Sequence, residues 1–169
     1  MRVDLNKFNR SNLNSDQKSA LILLAPLSLL ISDWIIAKCR FLQKPGKLYR
    51  SIILADLLIE SEFMTHPVSK EFIGTKCSNN ITKIKADNDW RGRVIEYEKE
   101  GYRSYRDSSH FASDYTDIIC FTNKYDDTLA ETDYKCQLTR FSTFKPNPKL
   151  YNSKSETIIE FYGLGEFDG

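Results

Sequence analysis

The stretch Ile52–Phe63, IILADLLIESEF, limits the possible folds of this chain because it is apolar on nearly every side. Winding residues 48–63 as a helix, at about 100° per residue, places apolar side chains on opposite faces. A helix with two apolar faces has to be covered from both sides, so the sequence predicts that it is central. Glu60 shares one face with Tyr49, Ile53, Asp56 and Leu57, and the opposite face holds Leu54, Ala55 and Leu58.

Two carboxylates, Asp56 and Glu60, lie inside this apolar stretch. A buried carboxyl group loses hydration, which disfavours its charged form and raises its pKa. A negative Asp56, one helical turn earlier, is expected to raise the pKa of Glu60 further by repulsion. A carboxyl group that keeps its proton near neutral pH suits general acid catalysis. The alternative is a glutamate at a helix end whose oxygens reach solvent or a backbone amide.

A second apolar stretch, Ala20–Ala37, is close to the minimum length of a membrane span. Pro26 and Asp33 interrupt it, and a carboxylate is costly in hydrocarbon. No cleavage site of the small-x-small kind follows, so the stretch fits a signal peptide poorly and no export signal is expected. We interpret it as a core helix capped by Ser15 or Asp16. A membrane anchor over residues 20–37 is the alternative.

The remaining pattern predicts several helices around one small β-hairpin, in a single α+β domain of 169 residues. Residues 1–17 are expected to form an extended or poorly ordered arm. Residues 65–80 are predicted to be a loop, and the hairpin is predicted over residues 90–107. The predicted helices cover residues 15–44, 45–63, 107–124, 127–141 and 154–164, the last closed by Gly163.

Composition excludes several classes of site. The formal net charge of +1 gives no overall field that would attract nucleic acid. The two histidines lie far from the four cysteines, and no cysteine pair has C-x-x-C spacing, so neither a metal site nor a cofactor is expected. Three disulfide connectivities are possible if all four cysteines pair. The better interpretation is four small buried side chains: Cys39, Cys77, Cys120 and Cys136.

Five stretches follow one another over about residues 18–168: LLAPLSLLISDW, ILADLLIESEF, NNITKIKADNDWRG, GYRSYRDSSHFASDYTDII and KLYNSKSETIIEFYGLGEFD. This ordered set resembles glycoside hydrolase family 73, the endo-β-N-acetylglucosaminidase family of autolysins, flagellar muramidases and phage lysins. The first stretch resembles the family's first helix, the second resembles LAQAILESGWG, and the third resembles NNLFGIKADSSWKG. The fourth resembles FRVYDSWEESIADHSDFL, and the last resembles the closing NYAKKLISIIEKYGLYKYD. Such an ordered set is far more specific than any one motif.

The resemblance implies a lysozyme-like fold, mostly helical, with a small β-hairpin lobe flanking a substrate cleft. It also implies hydrolysis of β-1,4 bonds between N-acetylglucosamine and N-acetylmuramic acid in peptidoglycan, without a cofactor. The catalytic acid falls on Glu60. The second carboxylate falls on Glu96, within the pair Glu96–Tyr97, and Glu98 and Glu100 are alternates. Inversion through a held water and attack by the substrate's own acetamido group both stay open.

Other residues are candidates for contact with substrate. Trp90 can stack on a sugar or anchor the root of the hairpin. Tyr97 directly follows Glu96, and Asp56 lies one helical turn before Glu60, so both are candidates. Phe141 aligns with a family tyrosine and lacks its hydroxyl, and Tyr151 aligns with a second family tyrosine. The family's GWG after the Glu-Ser pair is here Glu62 to Met64, the glycine of FGIK is Lys83, and an insertion lies near residues 145–149.

The sequence therefore predicts a bacteriolytic peptidoglycan hydrolase. The second hypothesis is a catalytically impaired module that binds cell-wall glycan or has a structural role, motivated by the missing hydroxyl at Phe141. The partner in both cases is a peptidoglycan strand, with no nucleic acid. The expected location is the bacterial cell wall or a phage virion. Because no signal peptide is recognisable, we expect the protein to reach the wall as a phage lysin or as part of a phage particle.

Overall fold

The first helix, α1, spans Ser15–Phe41. In the computed structural model its N-cap is Asn14, whose side-chain oxygen accepts a hydrogen bond from the Gln17 amide at 2.9 Å. The Gln17 side chain in turn accepts from the Asn14 amide at 3.0 Å, which completes a capping box. The predicted cap at Ser15 or Asp16 is therefore wrong, and residues 15–17 form the first helical turn. The structure describes residues 14–44, 46–69, 72–73, 76–77, 79–85, 96–97 and 101–168.

By length and composition, α1 is able to cross a membrane. In the fold, however, most of its apolar side chains pack against neighbouring helices, and Leu24, Ala25, Ile31 and Ile35 are fully buried. Asp33 lies on the exposed side, with Arg50 at 3.9 Å. This packing supports the interpretation of α1 as a core helix.

The second helix, α2, spans Arg50–Glu60, and every residue from Ser51 to Leu58 is buried. It packs between α1 and the last helix, which confirms the central position predicted from its two apolar faces. Its N-terminus has no cap of its own. Instead, Asp168 accepts hydrogen bonds from the Ser51 amide at 2.8 Å and from the Ser51 hydroxyl at 2.5 Å. The far end of the chain thus satisfies the first turn of α2.

Four further α-helices lie in the part of the chain that the structure describes. Helix α3 spans Ser108–Phe121 and is capped by Asp107. The single helix predicted over residues 127–141 is instead two, α4 (Asp126–Ala130) and α5 (Tyr134–Ser142), because Asp133 caps a new helix. Helix α6 spans Pro148–Phe161 and begins earlier than predicted, because Asn147 caps it and proline is favoured in the first turn. Gly163 follows with φ of 66°, as expected of a glycine that closes a helix.

Among the described residues, the β elements are two short antiparallel strand pairs. The predicted hairpin is present as β3 (Glu96–Tyr97) and β4 (Tyr102–Arg103), with Glu96 opposite Arg103. The segment predicted to be a loop contains a further pair, β1 (Phe72–Ile73) and β2 (Lys76–Cys77), and a short 3₁₀ helix over Pro67–Ser69. The fold is thus the predicted α+β type, mostly helical and lysozyme-like.

Asn80 connects the two parts of the fold. Its buried side chain donates to the carbonyls of Ile84 and Arg103 and accepts from the Ile84 amide. Its own amide donates to the Val68 carbonyl at 3.2 Å, just beyond α2. Strand β4 is therefore fixed to the segment that follows α2, and β4 in turn pairs with the strand that carries Glu96.

The cysteines differ in exposure. Cys39 and Cys120 are buried free thiols, and a hydrogen bond from Cys120 lowers the pKa of Cys39 to about 7. Cys136 is an exposed free thiol, which corrects the expectation that all four are buried. It lies in the first turn of α5, a helix that presents one face to solvent. The side chain of Cys77 lies outside the described part of the structure.

Candidate active site

Glu60 is the last residue of α2, where the helix reaches the surface of the fold. Its side chain is 24% exposed, whereas that of Asp56, one turn earlier, is only 1% exposed. The helix therefore places one carboxyl group inside the core and a second at its edge. A group at such an edge can meet a substrate while still losing much of its hydration.

Asp56 is the centre of a buried hydrogen-bond network. The Tyr151 hydroxyl donates to its Oδ1 at 2.5 Å, and the Tyr115 hydroxyl donates to its Oδ2 at 2.8 Å. The Lys145 ammonium donates to Oδ1 at 2.7 Å. Buried charge is tolerated when it is paired and fully hydrogen-bonded, and Asp56 meets both conditions. With almost no exposed surface, its carboxylate contacts protein groups from α3, α6 and the α5–α6 connection.

The pKa of Glu60 is raised above its ordinary value. Burial is the largest cause, because the carboxylate loses hydration, and the negative charge of Asp56 adds to it. The positive charges of Lys145, Lys83 and Lys154 act in the opposite direction without cancelling the increase. A carboxyl group acts as a general acid at pH values below its pKa, so a raised pKa extends the active range upward.

Lys145 was not predicted as a site residue. It lies between α5 and α6, and its Nζ is 3.8 Å from Glu60 Oε1 as well as 2.7 Å from Asp56 Oδ1. The only signal in the sequence was the insertion near residues 145–149, which marks a change in this connection without indicating where a side chain points. Lys145 lies 85 residues after Glu60 and 89 residues after Asp56, and local periodicity carries no information on contacts over such separations.

The two aromatic candidates are buried beside Lys145, and Tyr151 belongs to the network around Asp56. Phe141 and Tyr151 are 2% and 6% exposed, and their ring centroids are 6.3 Å apart. Lys145 Nζ lies 5.2 Å from the Phe141 centroid and 4.8 Å from that of Tyr151. Side chains so deeply buried have little surface for a sugar ring. The structure thus places Asp56, Phe141 and Tyr151 in the core around Lys145, and their contact with substrate stays a prediction.

The turn after Glu60 is held in an uncommon conformation. Glu62, Phe63 and Met64 have φ values of 51°, 54° and 63°, in the left-handed region. The resembling motif has glycine at the first and third of these positions, which suits that region. Here the turn is fixed by hydrogen bonds instead: the Phe63 amide donates to the Leu58 carbonyl at 2.8 Å, and the Met64 amide donates to the Ser61 hydroxyl at 3.0 Å.

Replacing Glu62 with glycine is expected to stabilise the protein. In the left-handed region, a residue with a Cβ atom is strained by roughly 1–2 kcal/mol, and glycine is not. The greater entropy of glycine in the unfolded state offsets only part of the stability gained by removing this strain. We expect the free energy of unfolding to rise by about 0.5–1 kcal/mol, measured by urea denaturation. Glu62→Ala is the matched control, because it removes the same exposed side chain but keeps the Cβ atom. Equal effects of the two substitutions would argue against backbone strain.

Of the predicted hairpin residues, the structure describes Glu96 and Tyr97, and of these only the backbone. Glu96 and Tyr97 form β3, and their backbone register is described above. Trp90, Glu98 and Glu100 lie outside the described residues. His66 and His110 each accept a hydrogen bond from a nearby backbone amide, those of Val68 and Arg106. Within the described ranges, no group of three or more histidine, cysteine or acidic residues is arranged to hold a metal ion.

The fold is similar to that of a solved structure. The arrangement is that of a lysozyme-like domain, with a helical bulk and small β elements. The chain is similar to the crystal structure of the catalytic domain of the autolysin Auto from Listeria monocytogenes, with a TM-score of 0.58. The match covers 94% of this chain and 90% of that one, at 16% identity. No family model and no curated protein sequence matches the chain.

Proposed function

We propose that this protein is a peptidoglycan hydrolase that cleaves β-1,4 glycosidic bonds of the glycan strand, with Glu60 as general acid. The observation that carries the proposal is the state of Glu60: a partly exposed carboxyl group with a raised pKa at the end of a buried helix. The fold shared with an autolysin catalytic domain supports the substrate class. The sequence resemblance to glycoside hydrolase family 73 supports the same assignment.

In this mechanism Glu60 donates its proton to the glycosidic oxygen, so that the leaving sugar departs as a neutral alcohol. Positive charge develops at the anomeric carbon as the bond breaks. A water molecule held by a second carboxylate, or the acetamido oxygen of the substrate, then attacks that carbon. Glu96 is the proposed second carboxylate, because strand β3 is tied through β4 and Asn80 to the segment that follows Glu60.

Among the three hairpin glutamates, substitution of Glu96 is expected to have the largest effect. Glu96→Gln should lower the rate by about 10²-fold or more if the carboxylate activates water, because glutamine cannot take a proton. A smaller loss is expected if the acetamido group attacks. Glu98→Gln and Glu100→Gln, measured in the same assay of reducing-end release, are the matched controls. A greater loss in either of them would move the second carboxylate to that position.

The experiment that tests the proposed function is incubation of the purified protein with purified peptidoglycan. Hydrolysis predicts a fall in turbidity together with release of soluble glycan fragments. The second candidate, a module that binds wall glycan without cleaving it, is favoured by the phenylalanine at position 141, where the resembling family has a tyrosine. That candidate predicts sedimentation of the protein with insoluble peptidoglycan and no fragments.

The proposed substrate places the site of action at the bacterial cell wall. Two sources would bring such an enzyme there: a phage, through its lysis system or its particle, and a bacterium that exports an autolysin. The neighbourhood of the coding sequence distinguishes them. Adjacent genes for a membrane-permeabilising lysis protein or for tail components would support the phage source, and a bacterial cell-wall gene cluster would contradict it.

A further inference from the structure

Lys145 lies between the two carboxyl groups of α2. Its Nζ is 2.7 Å from Asp56 Oδ1 and 3.8 Å from Glu60 Oε1, and its side chain is 18% exposed. The first distance is a charge-assisted hydrogen bond, and the second is an ion-pair contact beyond hydrogen-bonding range. The ammonium is therefore anchored by the buried carboxylate and presented to the partly exposed one.

The position of this ammonium is restricted on several sides. The Lys145 amide donates to the Ser142 carbonyl at 3.0 Å, which fixes the backbone at the end of α5. The rings of Phe141 and Tyr151 flank Nζ at 5.2 Å and 4.8 Å. A lysine side chain held by an ion pair and two rings has few alternative rotamers. Its charge thus stays beside Glu60 instead of sampling solvent.

Satisfying the hydrogen-bonding capacity of Asp56 does not account for the whole arrangement. The hydroxyls of Tyr115 and Tyr151 already donate to the two oxygens of Asp56. The ammonium also reaches Glu60, whose protonation changes during the proposed reaction. The titratable and charged groups that act on Glu60 from the elements around it are Asp56 on α2, Lys83 before β3, Tyr115 on α3, Lys145 before α6, and Tyr151 and Lys154 on α6.

The summed charge of Lys145, Asp56 and Glu60 changes when Glu60 gives up its proton. With Glu60 protonated, Lys145 and Asp56 form a neutral pair. After Glu60 has donated its proton, two carboxylates share one ammonium, and the ammonium offsets the repulsion between them. Because this stabilisation is larger after proton transfer than before it, it lowers the barrier to the donation step.

We propose that Lys145 is a positioning residue, anchored by Asp56, whose ammonium group stabilises the carboxylate that Glu60 becomes when it gives up its proton. The inference rests on the proposed function for its catalytic consequence. Its electrostatic part concerns the free protein alone. Burial by itself would lower the pKa of Lys145, but the negative charges of Asp56 and Glu60, with the hydrogen bond to Asp56, outweigh burial and raise it.

The test compares Lys145→Met with the wild-type protein in two measurements. The first is the titration of the Glu60 carboxyl carbon by NMR in the free protein, and the second is the pH profile of kcat/KM on peptidoglycan. Without the ammonium, the pKa of Glu60 should rise by about one unit, so the descending limb of the profile should move to higher pH by the same amount. Below that limb the rate should fall, because a weaker acid donates its proton less readily.

Three variants serve as controls. Lys145→Arg keeps the charge and should restore the wild-type limb, whereas Lys154→Met removes an exposed charge on α6 and should shift it less. Asp56→Asn should shift the Glu60 titration in the opposite direction, to lower pH, because it removes the repulsion. Should Lys145→Met fail to fold, the same substitution in the Asp56→Asn background removes both members of the pair. It should raise the Glu60 pKa relative to Asp56→Asn alone.

An unchanged Glu60 titration in Lys145→Met overturns the role of Lys145, whatever the activity. Loss of rate without movement of the pH limb also overturns it, since a purely structural defect has that signature. An inactive wild-type protein overturns the proposed function instead, and the NMR titration then decides the electrostatic part by itself.

Discussion

Replacing Glu60 with glutamine is expected to lower the rate of peptidoglycan hydrolysis by about 10²–10⁴-fold or more. Glutamine has nearly the same size and can still form hydrogen bonds, so the cost of burial changes little. It cannot donate a proton to the glycosidic oxygen, and the leaving sugar would have to depart as an alkoxide. The measurement is the initial rate of reducing-end release from purified peptidoglycan, at a pH on the plateau of the wild-type profile.

The matched control is Glu62→Gln, two residues further along the chain. Glu62 is exposed and lies outside the network around Asp56, so this variant should hydrolyse peptidoglycan at the wild-type rate. Thermal unfolding of Glu60→Gln should occur within a few degrees of the wild-type midpoint, which separates loss of chemistry from loss of structure. Hydrolysis by Glu60→Gln at the wild-type rate would remove Glu60 from the mechanism.

Replacing Asp56 with alanine is expected to cause the largest loss of stability among the site variants. The substitution leaves the hydroxyls of Tyr115 and Tyr151 and the ammonium of Lys145 without their common acceptor. Removing one member of a buried pair in this way typically costs about 3–5 kcal/mol, because the remaining polar groups stay buried. Urea denaturation followed by far-UV circular dichroism measures the change in the free energy of unfolding.

Two comparisons show whether the loss comes from the buried network. Asp33→Ala removes an exposed carboxylate of the same type, paired with Arg50 at 3.9 Å, and should change stability by less than about 0.5 kcal/mol. Asp56→Asn keeps one acceptor oxygen and should lose less than Asp56→Ala. If Asp56→Ala were no less stable than Asp33→Ala, the network would contribute nothing to the fold.

The central helix could be predicted because its signal is local. The residues of α2 are apolar on both faces, and only a position inside the fold removes both faces from water. The same signal made Glu60 a candidate, since a carboxyl group at the end of such a helix stands out in the sequence, and the family resemblance assigned it the role of acid. The hairpin and the glycine after α6 were predictable for similar reasons, because turn residues act within a few positions.

The rest of the site depends on contacts between distant parts of the chain. Lys145 meets Asp56 across 89 positions, and Tyr151 meets it across 95. Nothing in the neighbouring residues predicts these pairings, since each is formed by helix packing. The burial of Phe141 follows from the same packing. The hydrogen bonds from Ser51 to Asp168, 117 residues further along the chain, could not be predicted from the sequence for the same reason.

The boundaries that were missed reflect competing local signals. Ser15, Asp16 and Asn14 are all good N-caps, and the reciprocal bond to Gln17 decides for Asn14. The division between α4 and α5 follows from Asp133, which caps a new helix by accepting from the Cys136 amide at 2.9 Å. The hairpin of β1 and β2 has two residues in each strand, too few for a pattern to show.

The chemical identity of the new chain ends tests the central claim most directly. Purified peptidoglycan is digested with the wild-type protein, the soluble fragments are reduced with borohydride, and their terminal residues are identified by mass spectrometry. Cleavage of a β-1,4 glycosidic bond predicts reduced amino sugars at the new ends, accumulating with time and absent from a parallel digest with Glu60→Gln. Solubilised fragments with no new reducing sugar, only cleaved amide bonds, would contradict the assignment of this protein as a glycoside hydrolase.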